Sequence, residues 1–110
     1  MKERLYSKPD GAWKDLGNGT HRRVRSFGED LMLVEMRFDK DGVGATHRHT
    51  HRQVTYCLEG RFYFTVDGRL VVLNAGDTLF FARNIEHGCV AQTAGALLDV
   101  FTPMREDFVR

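Results

Sequence analysis

GVGATHRHTHRQVTYCLEG, residues 42–60, gathers three histidines and a glutamine in a short stretch of chain. The histidines stand at alternate positions, 47, 49 and 51, and Gln53 continues the alternation. Because successive side chains of a β-strand point to opposite faces, His47, His49 and Gln53 can share one face of a strand. Imidazoles held together on a strand suit a divalent transition metal. This segment therefore predicts one wall of a metal site.

A site of this kind needs a further ligand from another strand. His87 is the other histidine that stands among apolar residues, so we assign it to the site. His21 is flanked by two arginines and is expected in solvent. His51 continues the alternation of the candidate metal ligands, but we do not expect it to bind the metal. We expect it either at the surface or in contact with a ligand residue.

Short apolar runs separated by turn residues extend over the rest of the chain. Apolar residues alternate over 31–38 with the period of a half-buried strand. Asp67-Gly68 lies between two β-rich runs and predicts a tight hairpin. No run before residue 103 has a useful helical periodicity, so the fold class is all-β, a sandwich or a barrel. The expected strands are 21–28, 31–38, 51–58, 62–66, 70–73, 78–81, 87–92 and 96–102, with a loop over 39–44.

The length predicts one domain over residues 1–110. Residues 1–20 contain Pro9 and several glycines, and we expect an irregular N-terminal arm there. Residues 103–110 are expected to form a tail or a single helical turn. Trp13 in the arm requires burial, either on its own barrel or on a partner subunit. We expect the arm to pack across the interface of a symmetric homodimer.

Charge and hydropathy argue against several classes of protein. The net charge of +1 gives no reason to expect a nucleic-acid partner. No apolar run approaches the ~20 residues that cross a bilayer, and the first residues lack the apolar segment of a signal peptide. We therefore expect a cytoplasmic protein with no membrane partner, in which Cys57 and Cys89 are reduced core thiols.

The last expected strand carries a charge among apolar residues. Asp99 shares a face with Leu97 and Phe101. A carboxylate in such a place either makes a structural hydrogen bond or shifts its pKa until it can carry protons, and the sequence leaves both open. Arg105 follows the strand. It is a solvated charge, or, if it reaches the mouth of a barrel, a bidentate partner for a carboxylate.

The spacing of these residues resembles the two motifs of the cupin family. In the first motif, G(X)5HXH(X)3-4E(X)6G, the histidine pair is His47 and His49, and Gln53 stands at the glutamate position. In the second motif, G(X)5PXG(X)2H(X)3N, Gly76 and His87 keep the spacing. The sequence departs from the motifs at Gly42, Ala82, Asn84 and Ala91. The resemblance implies a single cupin domain, an antiparallel jelly-roll β-barrel.

A narrower resemblance covers nearly the whole chain. The segments WKDLG (13–17), HRHTHRQ (47–53) and LLDVFTPMREDFV (97–109) look like the pectin-degradation cupins of KdgF type. That family converts 4,5-unsaturated monouronates, released by pectate and alginate lyases, to linear 5-keto-4-deoxyuronate without an organic cofactor. The metal ligands that the resemblance implies are His47, His49, Gln53 and His87. The functional residues that it implies are Asp99 for proton transfer, Phe101 against a sugar face and Arg105 for the carboxylate.

Gln53 is informative because a neutral amide leaves the charge of a divalent metal uncompensated. This favours Lewis-acid chemistry on an anionic substrate and argues mildly against iron-dependent oxygen chemistry. Imidazole and amide ligands fit nickel, zinc, manganese or iron. Two alternatives stay open: an iron-dependent cupin dioxygenase, and a non-catalytic cupin that binds or senses a sugar. If Asp99 is not the proton carrier, the proton has to come from a metal-bound water or from Glu86, which ranks second.

Overall fold

A computed structural model describes residues 2–110. Ten β-strands are followed by one turn of 3-10 helix, Glu106–Phe108, and the described residues contain no α-helix. The strands are β1 (Lys14–Gly17), β2 (Thr20–Gly28), β3 (Leu31–Phe38), β4 (Val43–His47), β5 (Arg52–Glu59), β6 (Arg61–Val66), β7 (Arg69–Asn74), β8 (Thr78–Phe81), β9 (His87–Ala91) and β10 (Gly95–Thr102). In this part of the chain no helix is long and apolar enough to cross a membrane.

The strands form two antiparallel sheets. The larger has the order β1-β2-β3-β10-β5-β8, and the smaller has the order β4-β9-β6-β7. Within the larger sheet β10 lies between β3 and β5, and Asp99 pairs in register with Val34 on one side and Thr55 on the other. The all-β prediction is confirmed.

The core lies between the two sheets. Phe38 and Leu97 of the larger sheet belong to one buried cluster with Phe62, Phe64 and Leu73 of the smaller sheet. The rings of Phe38 and Phe62 meet edge to face, with centroids 5.0 Å apart. Burying a side chain of this size contributes roughly 1.5–3 kcal/mol. Cys57 and Cys89 are free and buried, in agreement with the expectation of reduced core thiols.

The hairpin predicted at Asp67-Gly68 joins β6 to β7. Val66 and Arg69 pair in register, and the two residues between them have φ angles of 49° and 78°. Positive φ at both central positions is the geometry of a type I′ turn, whose twist matches that of the strands. The sequence prediction of this turn is confirmed.

The N-terminal arm is more regular than we expected. Residues 14–17 form β1, which pairs with β2 through a turn at Asn18-Gly19, where both φ angles are positive. Asn-Gly is a strong hairpin signal, so the sequence contained this element. Our expectation of an irregular arm as far as residue 20 was therefore wrong for residues 14–20.

The histidine segment is not one strand. β4 ends at His47 and belongs to the smaller sheet, whereas β5 begins at Arg52 and belongs to the larger sheet. His49 lies in the connection between the two strands. The backbone N–H of Asn84 donates a hydrogen bond to the backbone carbonyl of His49 at 2.8 Å and so holds this connection in place. The prediction that His47, His49 and Gln53 share one strand face was wrong, because the chain changes sheets between them.

A candidate metal centre and its pocket

Three imidazoles converge although they come from separate elements. His47 at the end of β4 pairs in register with His87 at the start of β9, and His49 approaches from the connection after β4. The ring centroids lie 4.6 to 5.4 Å apart. One nitrogen of each ring lies within 4.8 Å of the others, so the three histidines are positioned to bind a metal ion.

Backbone carbonyl groups fix the orientation of all three rings. Each Nδ1 lies 2.8 to 2.9 Å from a carbonyl oxygen of a residue two positions away. The acceptors are Ala45 for His47, His51 for His49 and Ile85 for His87. An Nδ1–H that donates to a carbonyl leaves the lone pair of Nε2 available, which is the arrangement of histidine ligands in metal sites.

Burial favours the neutral form of His49 and His87. His87 is 4% exposed and stacks on the ring of Phe81 at a centroid distance of 4.3 Å. The pKa of His87 is lowered to about 4, chiefly by this burial; the carbonyl of Ile85 opposes the lowering, and the neighbouring His47 and His49 add to it. Burial also lowers the pKa of His49. Neutral imidazoles at physiological pH are the form that binds a metal.

The side chain of Gln53 completes the set of candidate metal ligands. Its Oε1 lies 2.9 Å from Nε2 of His49. If Nδ1 of His49 donates to the carbonyl of His51, Nε2 and Oε1 both present lone pairs, and a bound cation would stabilise two acceptors at this distance. Three imidazole nitrogens and one amide oxygen fit a divalent transition metal.

A buried chain of hydrogen bonds runs from Gln53 to Asp99. Nε2 of Gln53 donates to Oγ1 of Thr55 at 2.9 Å, and this hydroxyl donates to Oδ1 of Asp99 at 2.6 Å. Burial raises the pKa of Asp99 to about 6, against the opposing effects of Thr55, Gln53 and Arg105. Thr55 was not among the site residues predicted from the sequence. Its position on the same face of β5 as Gln53 was the available signal.

One pocket of about 300 Å³ opens onto this centre. Its walls include most of the residues that the sequence analysis selected, namely His47, Gln53, His87, Asp99, Phe101 and Arg105. The remaining one, His49, contacts the pocket wall through Phe101, with ring centroids 5.7 Å apart. The structure thus brings all seven candidate residues to one place.

Arg105 lies at the mouth of this pocket. Its side chain is 13% exposed, so it is not a solvated charge. Its guanidinium carbon lies 5.3 Å from the ring centroid of Phe101 and 4.2 Å from that of Phe108. Nε and Nη2 donate to the carboxylate of Asp107 at 3.1 and 3.0 Å. The Nε–Nη2 edge of the guanidinium is therefore occupied by a side chain of the same tail.

The other candidates lie outside the pocket. Glu86 is exposed and forms an ion pair with Arg48 at 3.1 Å. His21 lies 3.6 Å from Asp39. His51 is half-buried, and its Nε2 is 3.1 Å from the carbonyl oxygen of Met104, so it tethers the C-terminal tail. None of the three lines the pocket that opens onto the histidines.

Comparisons with known proteins agree on one family. Residues 34–101 match the family model described as a cupin domain. The chain is 33% identical to "Pectin degradation protein KdgF" of Dickeya dadantii, over 96% of this chain and 98% of that protein.

Two solved structures resemble this one over nearly their whole length. An RmlC-like cupin from Shewanella frigidimarina superposes with a TM-score of 0.90 at 42% identity, covering 96% of each chain. KdgF from Halomonas sp. superposes with a TM-score of 0.89 at 30% identity, covering 96% of this chain and 98% of that one.

Proposed function

The chain belongs to the cupin family, in its KdgF-type group, and from that premise we propose that it is an enzyme of pectin or alginate breakdown. It converts 4,5-unsaturated monouronates to linear 5-keto-4-deoxyuronate. The observation that carries this proposal is that Asp99 lines the same pocket of about 300 Å³ as His47 and His87, two of the three imidazoles positioned to bind a metal ion. A pocket of that size matches a single sugar ring.

The reaction is an isomerisation. In the cyclic substrate C1 is a hemiacetal, and C5 is joined to C4 by a double bond and to the ring oxygen. Ring opening breaks the bond between C1 and the ring oxygen; the C1 hydroxyl loses its proton and the ring oxygen gains one. The resulting enol loses its hydroxyl proton while C4 gains a proton, which leaves a ketone at C5. No electrons leave the substrate, so no redox cofactor is required.

The ligands in this proposal are His47, His49, Gln53 and His87. A bound divalent metal supplies Lewis acidity to substrate oxygens and attraction for the carboxylate. Because no protein carboxylate is among these ligands, the substrate carboxylate meets no repulsion from the ligand set.

The protein's own groups handle the proton and the orientation of the ring. Asp99 takes up the proton that the enol hydroxyl releases and delivers it to C4, and its partner Thr55 holds the carboxyl group in place at 2.6 Å. Phe101 presents an apolar surface to one face of the sugar. Arg105 adds positive charge at the pocket mouth, where the carboxylate enters. Proton transfer and orientation need to accelerate the reaction by only ~10²–10⁴-fold each, because the reaction also proceeds slowly without a catalyst.

The decisive experiment follows the ultraviolet absorbance of the enol ether in unsaturated monouronate. Protein loaded with metal should accelerate its loss well above the rate without protein, and chelated protein should not. Oxygen consumption during turnover would instead indicate a dioxygenase. Uronate binding without turnover would indicate a sugar sensor.

A homodimer is part of the proposal. Trp13 is 43% exposed in the single chain, although the guanidinium of Arg23 lies 4.8 Å from its ring centroid. Covering the rest of this ring requires a partner, so we expect the dimer interface to include it. Sedimentation at micromolar concentration should show a dimer, and a monomer would contradict this expectation. The cytoplasmic location stays a prediction.

A further inference from the structure

An arginine occupies the inner face of the larger sheet. Arg22 on β2 pairs in register with Met36 on β3, and Met36 pairs with Leu97 on β10. All three residues line the pocket that opens onto the histidines. Charged side chains are rare on an inward face unless something pairs with them. The position of Arg22 therefore calls for an anionic partner.

Within residues 2–110 no carboxylate forms an ion pair with Arg22, although Asp107 is near enough to influence its pKa. Four arginines are half-buried, and three of them have partners. Arg23 pairs with Glu35, and Arg105 pairs with Asp107. Arg25 donates to backbone carbonyls of the arm. Arg22, the fourth, makes neither a hydrogen bond nor an ion pair with the described residues. Its contact is with the ring of Phe108, whose centroid lies 3.7 Å from its guanidinium carbon. The N–H groups of the Arg22 guanidinium are thus available to a ligand in the pocket.

The surroundings stabilise this positive charge less than water would. Burial lowers the pKa of Arg22, Asp107 partly offsets this effect, and the neighbouring Arg105 adds to it. Arg22 and Arg105 both lie within 4.2 Å of the centroid of the Phe108 ring, so two cations share one aromatic side chain. A ligand carboxylate would give Arg22 charged hydrogen bonds and would offset its repulsion with Arg105.

We propose that Arg22 binds the carboxylate of a sugar acid, donating two parallel hydrogen bonds from its guanidinium group. The inference rests on the proposed function for the identity of the sugar acid. Arg105 keeps its ion pair with Asp107 and positions Phe108, against which Arg22 is stacked. Arg22 is then the residue that distinguishes a uronate from a neutral sugar.

The first test measures kcat and KM of metal-loaded protein with unsaturated galacturonate. Arg22→Gln should raise KM at least ~10-fold and change kcat by no more than ~3-fold, because a charged hydrogen bond to the substrate is lost. Arg22→Lys keeps the charge without the planar fork and should give an intermediate KM. Arg69→Gln, which removes an exposed charge outside the pocket, is the matched control and should leave both constants unchanged. A wild-type KM in folded Arg22→Gln would overturn the inference.

The second test separates this inference from the proposed function. Saturated galacturonate, which has no enol ether to react, and galactose are titrated into the same proteins. The wild type should prefer galacturonate, and Arg22→Gln should lose that preference. If the wild type shows this preference without any turnover of the unsaturated sugar, the proposed reaction is wrong and the role of Arg22 stands. If the wild type neither turns over the unsaturated sugar nor prefers galacturonate, both are wrong.

Melting temperatures separate a structural role from this one. Arg22 also packs on Phe108, so its replacement loosens the tail. Arg22→Lys retains most of that packing. A purely structural residue would lower the melting temperature without changing the ratio of galacturonate to galactose binding, and that result in both variants would overturn the inference.

Discussion

The hydroxyl of Thr55 lies 2.6 Å from Oδ1 of Asp99 and accepts a hydrogen bond from the amide nitrogen of Gln53. The hydroxyl has a single proton, which it uses to donate a hydrogen bond to the ionised Asp99. Its oxygen therefore acts as the acceptor for the amide nitrogen of Gln53. The amide nitrogen must then face Thr55, and the amide oxygen must face the imidazoles. This buried chain sets the orientation of the weakest ligand of the proposed metal site.

Replacing Thr55 by Val should weaken metal binding without removing any ligand. Valine has nearly the same shape but neither donates nor accepts, so the amide of Gln53 is free to rotate. We expect the metal affinity to fall by ~10–100-fold, the usual effect of losing a group that orients a ligand. Competition with a chelator measures it. Thr55→Ser restores the hydroxyl and should recover most of the affinity. Wild-type affinity in Thr55→Val would contradict the orienting role.

The four proposed ligands should differ in their importance. An imidazole nitrogen forms a stronger bond to a transition metal than an amide oxygen does. Alanine at His47, His49 or His87 should therefore strip the metal, whereas Gln53→Ala should loosen it. Metal content after dialysis checks this order. A Gln53→Ala protein that loses its metal as completely as the histidine variants would contradict it.

The charge of the ligand set can be tested separately. Gln53→Glu should retain or tighten metal binding, because a carboxylate is an anionic ligand. It should also slow the turnover of unsaturated monouronate, because the added negative charge repels the substrate carboxylate. Metal content and initial rate are measured on the same preparation. Faster turnover by Gln53→Glu would show that our explanation for the glutamine is wrong.

The outer face of the larger sheet gives a pH-dependent contribution to stability. Burial alone would raise the pKa of Glu35, but hydrogen bonds from Arg23 and Arg37 outweigh it, and the net pKa is lowered from 4.5. The nearby carboxylate of Glu59 is exposed and also pairs with Arg37. Because the folded pKa lies below the unfolded one, Glu35 stabilises the protein above pH 4.5, and this contribution is lost as the pH falls through the folded pKa.

Glu35→Gln should therefore lower the free energy of unfolding at pH 7 by roughly 1–3 kcal/mol. The difference from wild type should shrink steadily as the pH falls below the pKa of an unfolded glutamate. Urea unfolding at several pH values measures it. Glu59→Gln, an exposed partner of the same arginine, is the control and should change little. A difference that grows toward acid pH would contradict the lowered pKa.

The sequence predicted the elements whose signals are local. Asp67-Gly68 between alternating strands specifies a turn by its own backbone preferences, and the histidines predict a candidate metal site by residue type. The break between β4 and β5 was not predictable in this way. It depends on the chain crossing from one sheet to the other, and the alternating pattern of 47–53 is equally compatible with a continuous strand.

Long-range pairing explains the residues that were missed. Thr55 acquires its role because β5 pairs with β10 in the register that sets it opposite Asp99. Arg22 acquires its place in the pocket because β2 pairs with β3 next to β10. A single sequence gives the face of each residue on its own strand, but it does not give the register between strands that are far apart in the chain.

The proposed enzyme and a sugar-binding protein differ most sharply at Asp99. Asp99→Asn retains the side-chain shape, and its oxygen can still accept the hydrogen bond from Thr55, but the group no longer carries a proton to C4. Turnover should fall at least ~10²-fold, with folding and metal content intact. Glu86→Gln is the matched control: Glu86 is exposed and paired with Arg48, so its loss should leave turnover close to wild type. If Asp99→Asn instead turns over unsaturated galacturonate at the wild-type rate, Asp99 is a structural partner of Thr55. The acid that protonates C4 would then have to be another group of the pocket.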